Sequence, residues 1–280
     1  MDTLVSTDWL AGELGSDDLR IVDASWHLPD AGRDAAAEFA SGHIPGAVFL
    51  DLGTLTDPDG ASDNTLPPPR RFADRMGMLG IGDGCRVVFY DDSAVHSAAR
   101  AWFMARLFGI GEAAILDGGL AKWRAEGRET EAGHAVPPER DFTPGSGVAS
   151  LRSRQDMLAN VDTGAEQVVD ARGPARFRGD EPEPRPGMAA GHIPGARNVH
   201  YAALFEPDGT LKDDAGLRSA FEDAGVDLGR PVVTSCGSGI TACVLAFALD
   251  RLGKRDVALY DGSWAEWGID PATPKATGPA

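Results

Sequence analysis

Short apolar runs alternate along the chain with stretches spaced as helices. Ile21-Val22-Asp23-Ala24, Arg86–Tyr90, Val168-Val169-Asp170-Ala171 and Pro231–Ser235 read as buried strands, each bounded by polar or turn residues. Helical spacing follows two of them, over Arg100–Phe108 and Thr241–Leu252. The longest unbroken apolar run, Ala242–Leu249, has eight residues, which suits a buried helix and is far too short to span a bilayer. Strands alternating with helices predict an α/β fold whose sheets are mainly parallel and flanked by helices.

The same landmarks occur twice in the same order. GHIPGA stands at Gly42–Ala47 and at Gly191–Ala196, an offset of 149. Arg86–Tyr90 matches Pro231–Ser235 at 145, and Leu116-Asp117-Gly118-Gly119 with Trp123 matches Tyr260-Asp261-Gly262-Ser263 with Trp267 at 144. The order and near-constant offset imply a tandem duplication. The predicted division is one domain over 1–130, a linker over 131–150 rich in proline, glycine and charge, and a second domain over 151–280.

Composition narrows the possible chemistry. With 280 residues, 42% hydrophobic and 25% charged, the chain has enough apolar material for two cores. A net charge of −17 argues against nucleic acid or an anionic membrane as partner. The three cysteines are too few for a disulfide framework and none are at zinc-ligand spacing, so neither a metal nor a cofactor is expected. Free thiols suit a reducing compartment. The opening MDTLVSTDWLAGELG has none of the regions of a secretory signal, so the expected location is the cytoplasm.

One thiol stands out. Cys236 directly follows a strand and opens the run Cys236-Gly237-Ser238-Gly239-Ile240-Thr241, after which a helix begins. Two glycines let successive N–H groups turn inward, and together with the helix N-terminus these donors stabilise a thiolate nucleophile. A cysteine phosphatase would need an arginine where Ala242 stands, and a Cys-x-x-Cys redox pair would need a cysteine at Gly239. Cys85 and Cys243 read as packing residues.

CGSGIT after a strand, the paired GHIPGA boxes and the closing YDGSWAEW together resemble the two-domain rhodanese-type sulfurtransferases, in particular their 3-mercaptopyruvate branch. The resemblance runs from Val5 to Trp267. It implies that Cys236 takes sulfur from a small-molecule donor as a persulfide. The sulfur then passes to cyanide or to a thiol acceptor such as thioredoxin or a low-molecular-weight thiol. Gly237, Gly239, Ile240 and Thr241 would form the loop that holds the sulfur, with Ser238 beside it. The uncharged Gly237 and Ser238 suit a donor with one carboxylate better than dianionic thiosulfate, which the family meets with basic residues there. In ARGPARFRGDEPEPR, charge alone suggests a solvated loop of weak ion pairs. The resemblance instead assigns Arg176 and Arg185 to the donor's carboxylate and keto group, a task suited to the guanidinium fork.

Other positions are assigned by absence or repetition. His43 and His192 occur in both boxes whereas the thiol occurs in one half, so they are read as structural. Asp91 stands in the first half where Cys236 stands in the second, which makes the first domain non-catalytic and, by the resemblance, a wall of the active site. The branch's Ser–His–Asp relay is met by Ser238, Asn64 and Gly53, so only the serine keeps a relay residue, with Asn64 a possible contribution from the N-terminal half. Two further readings remain: thiosulfate as the donor, and a persulfide carrier or binding module with little turnover alone.

Overall fold

The structure, a computed structural model, describes residues 1–280. The first half runs β1 (Leu4–Val5), α1 (Thr7–Glu13), β2 (Leu19–Asp23), α2 (Ala35–Ser41), β3 (Ala47–Phe49), α3 (Pro69–Met78), β4 (Arg86–Tyr90), α4 (Ala98–Phe108), β5 (Ala113–Leu116) and α5 (Gly119–Ala125). The second half runs β6 (Ser150–Leu151), α6 (Arg154–Thr163), β7 (Gln167–Asp170), α7 (Pro174–Arg178), β8 (Arg197–Asn198), a 3-10 turn (Tyr201–Leu204), α8 (Asp214–Glu222), β9 (Val232–Ser235), α9 (Ala242–Arg251), β10 (Val257–Leu259) and α10 (Ser263–Trp267).

Each half forms one five-stranded sheet, and every pairing is parallel. The orders are β1-β5-β4-β2-β3 and β6-β10-β9-β7-β8, the same topology twice. The expected α/β architecture and duplication are therefore both present. The apolar stretch from Ala242 becomes α9, whose residues through Leu249 are all buried, because a helix apolar on every side has no face to give to water.

The repeat extends to backbone detail. His43 and His192 each bond through Nδ1 to a carbonyl, of Phe39 and Phe177, at 2.8 Å. Each ring also stacks on that same phenylalanine. Each histidine backbone forms an antiparallel bridge to a segment beyond the last helix of its half, His43 to Glu131 and His192 to Ala276. Trp123 and Trp267 donate from Nε1 to Glu129 and Pro274 carbonyls in those segments.

Contacts divide the chain somewhat differently from the 1–130 and 151–280 expected from the repeats. One unit holds Met1–Asp57, Leu66–Val148 and Glu206–Leu211; the other holds Pro58–Thr65, Ala149–Phe205 and Lys212–Ala280. The residues expected as a linker lie on the first unit up to Val148, with Arg140 N–H on the Gly77 carbonyl and Gly145 N–H on that of Phe108. Residues 58–65 join the second unit because their side chains bond there, Asn64 to Ser238 and Asp63 to Arg185. No helix is long and apolar enough to cross a membrane.

Candidate active site

In the second unit β9 ends at Ser235, and residues 236–241 turn the chain into α9. Cys236 is 1% exposed at the bottom of this loop, and the Gly239 N–H donates to its Sγ at 3.1 Å. That orientation requires φ of +83° at Gly239, a left-handed backbone that a side chain would disfavour. Thr241 precedes α9 as its N-cap residue without making a side-chain capping bond. Ile240 is buried, and its carbonyl accepts the Cys243 N–H. An inward N–H, a helix N-terminus and a nearly enclosed sulfur together make a holder for anionic sulfur.

A second loop braces the first. Trp264 and Ala265 N–H groups donate to the Cys236 and Gly237 carbonyls at 2.9 and 2.8 Å. Ser263 Oγ accepts the Cys236 N–H at 3.1 Å, donates to the Tyr260 carbonyl at 2.9 Å and lies 4.0 Å from Cys236 Sγ. Ser263 is fully buried with φ of +49°, and the matching Gly119 has +55°. A serine in this region costs about 1–2 kcal/mol, which its two hydrogen bonds offset. The repeat pairs Ser263 with Gly119, yet a left-handed serine leaves no mark in a sequence.

Arg176, in the middle of α7, lies against the loop: a Cβ built on Gly237 would lie 3.4 Å from its Nη2. Its Nη2 and Nε reach Glu183 at 2.5 and 3.4 Å. The Glu183 side chain is fully buried and also accepts from Arg172 Nη1 at 2.7 Å. Arg172, 3% exposed, binds both oxygens of Asp170, donates to the Gly191 carbonyl and lies 4.6 Å above the Trp264 ring. The solvated loop suggested by charge alone is thus only partly present. Arg178–Asp180 is an exposed pair, whereas Asp170, Arg172 and Glu183 form a buried chain. Arg185 is looser, its Nη2 3.4 Å from an exposed Asp63 carboxylate.

Asn64 is 8% exposed and donates from Nδ2 to Ser238 Oγ at 2.8 Å. The structure therefore brings Asn64 to the Cys236 loop. Gly53 lies in the other unit beside Asp51, whose Oδ1 accepts its N–H at 2.9 Å. Cys85 and Cys243 are buried: Arg140 donates to Cys85 Sγ, and the Cys243 thiol donates to the Gly239 carbonyl at 3.2 Å.

A family model described as rhodanese-like domain matches this chain twice, over residues 6–126 and 153–270. The chain belongs to the rhodanese family. Among its relatives, human 3-mercaptopyruvate sulfurtransferase is 41% identical over 270 residues, covering 94% of this chain and 91% of the relative. The Escherichia coli K12 3-mercaptopyruvate sulfurtransferase is 40% identical, covering 94% of each. A thiosulfate sulfurtransferase of Cricetulus griseus is 39% identical over 94% of this chain and 91% of its own length. The crystal structure of Escherichia coli SseA, described as a 3-mercaptopyruvate sulfotransferase, superposes with a TM-score of 0.86 at 37% identity, covering 94% of this chain and 99% of that one. This rhodanese-family chain is an enzyme, a sulfurtransferase, built from two such domains.

Proposed function

We propose that Cys236 is the sulfur-carrying nucleophile and that the donor is 3-mercaptopyruvate. The reading is carried by the enclosed Cys236 sulfur under the Gly239 N–H, with the Arg176 guanidinium against uncharged Gly237. The Cys236 thiolate attacks the donor's sulfur, and the carbon–sulfur bond breaks. Its electron pair stays on carbon as the enolate of pyruvate, and the donor's thiol proton ends on that carbon. The product is pyruvate and a persulfide on Cys236, held by the loop N–H groups and the Thr241 hydroxyl. An acceptor thiolate then takes the outer sulfur and restores the Cys236 thiolate.

Arg176 and Arg185 orient the α-keto acid through paired N–H donors. Asn64 has no proton to relay near neutrality, but its N–H on Ser238 Oγ leaves the serine's own proton to be donated toward the reacting sulfur or the enolate. The same reading places the enzyme in a reducing cytoplasm, supported by three free thiols, with a small thiol or thioredoxin as acceptor. The test is steady-state kinetics with each donor. A kcat/KM favouring thiosulfate would reassign the substrate, and a single stoichiometric transfer without turnover would make the protein a carrier. Mass spectrometry after donor treatment should find one added sulfur atom on Cys236.

A further inference from the structure

Arg176 does not approach the loop as a free cation. Its Nη2 and Nε are held by Oε2 and Oε1 of Glu183, a carboxylate with no exposed surface whose Oε1 also accepts from a second guanidinium, Arg172. Arg172 is in turn fixed by Asp170 and by the face of Trp264, whose N–H holds the Cys236 carbonyl. The chain Asp170–Arg172–Glu183–Arg176 has two negative and two positive groups and ends at a side chain 32% exposed beside Gly237. Two consequences follow from this arrangement. Arg176 can offer a ligand only its Nη1 hydrogens and the second hydrogen on Nη2, so the direction of its open edge is set from behind. The local charge also sums to zero, so binding there depends on the fit of one planar carboxylate to the fork more than on net attraction.

We infer that Glu183 is the positioning residue that aims Arg176 and makes the site select a donor with a single carboxylate over a dianionic one. This rests on the sulfurtransferase reading above and adds to it a source of donor choice outside the Cys236 loop. Removing the Glu183 charge frees Arg176 to swing and leaves the chain with a net positive charge, which favours a dianion.

The decisive measurement compares 3-mercaptopyruvate and thiosulfate as donors for wild type and Glu183→Gln, across a range of salt. Expected is a KM for 3-mercaptopyruvate raised about tenfold or more, the usual cost of losing a hydrogen bond to a charged group. KM for thiosulfate should be unchanged or lower, and its kcat/KM should become more sensitive to salt. Equal losses for both donors would mean that Glu183 only supports the fold and would overturn the inference. If Glu183→Gln does not fold, Arg176→Lys decides: it keeps the charge but loses the two-point contact with Glu183. It should raise KM for 3-mercaptopyruvate without changing the salt response with thiosulfate, and an unchanged KM overturns the inference. A wild type with no preference for 3-mercaptopyruvate instead defeats the substrate reading, and this inference with it.

Discussion

The β4–α4 loop of the first unit and the β9–α9 loop of the second are the same device put to different uses. Both leave the middle strand of a sheet with one topology, and the residue after the strand is gripped alike: Leu120 N–H on the Asp91 carbonyl, Trp264 N–H on that of Cys236. The difference lies in what the inward-turned N–H donors of the loop and helix start meet. In the first unit they meet the Asp91 carboxylate, which accepts the Ala98 N–H at 2.6 Å and the Ser93 N–H at 3.1 Å. In the second, a donor faces the Cys236 sulfur. The matching loops thus turn their donors onto an acid in the first unit and onto a thiol in the second.

The largest effect should come from making the second loop a copy of the first. Cys236→Asp should lower kcat/KM by about 10⁴-fold or more while the protein remains folded, since a carboxylate cannot carry sulfur in this reaction. Substantial retained activity in steady-state assays would remove the nucleophile from Cys236.

The reverse side of the comparison concerns stability. Burial pushes the Asp91 carboxyl up to about 7, with the two backbone N–H bonds pulling the other way. A carboxyl raised above its unfolded value of 3.8 favours the folded state below that value, and this contribution is lost as pH rises through about 7. Asp91→Asn should therefore gain on wild type between pH 4 and 8, by on the order of 2 kcal/mol once the residue's partial exposure is allowed for. Unfolding free energies at the two pH values test this. A difference between variants that stays flat with pH would show that Asp91 is ionised throughout.

A smaller effect should follow from restoring the first unit's glycine at Ser263. Ser263→Gly should leave stability within about 1 kcal/mol of wild type, the relieved strain set against the two hydrogen bonds lost, while reducing kcat/KM about tenfold through the lost bond to the Cys236 N–H. An unchanged kcat/KM would contradict that split. Asn64→Ala should have the least effect, a few-fold decrease in kcat, because one neutral hydrogen bond to Ser238 is worth about 1 kcal/mol. Asn64→His should add a titration near pH 6–7 to the kcat profile, from an ordinary imidazole. A profile identical to wild type would show that Ser238 is not in proton contact with position 64.

Much of this was legible in the chain. Alternating strands and helices, the doubled landmarks and the glycine-rich run after Cys236 reflect local rules, so the α/β class, the duplication and the thiol's place at a strand end followed from them. The shortfalls have physical causes. Arg172 and Glu183 stand in a run so dense in charge that solvation is the natural inference, and only tertiary pairing buries them. Residues 58–65 join the second unit through side-chain bonds that no periodicity records. Residues 131–148 lack either structural period, yet they lie on the first unit through backbone bonds to irregular carbonyls.

The paired histidine bridges bear on where the ancestral gene segment ended. Glu131 and Ala276 lie 145 positions apart, in step with the strands, and each closes its own half. The length that was copied therefore ran past the last helix and included the returning tail. A cut at residue 130, where composition changes, would strip the first copy of its clasp, so a fragment made to stand alone should keep at least through Gly133, whose N–H still bonds back to Ala40.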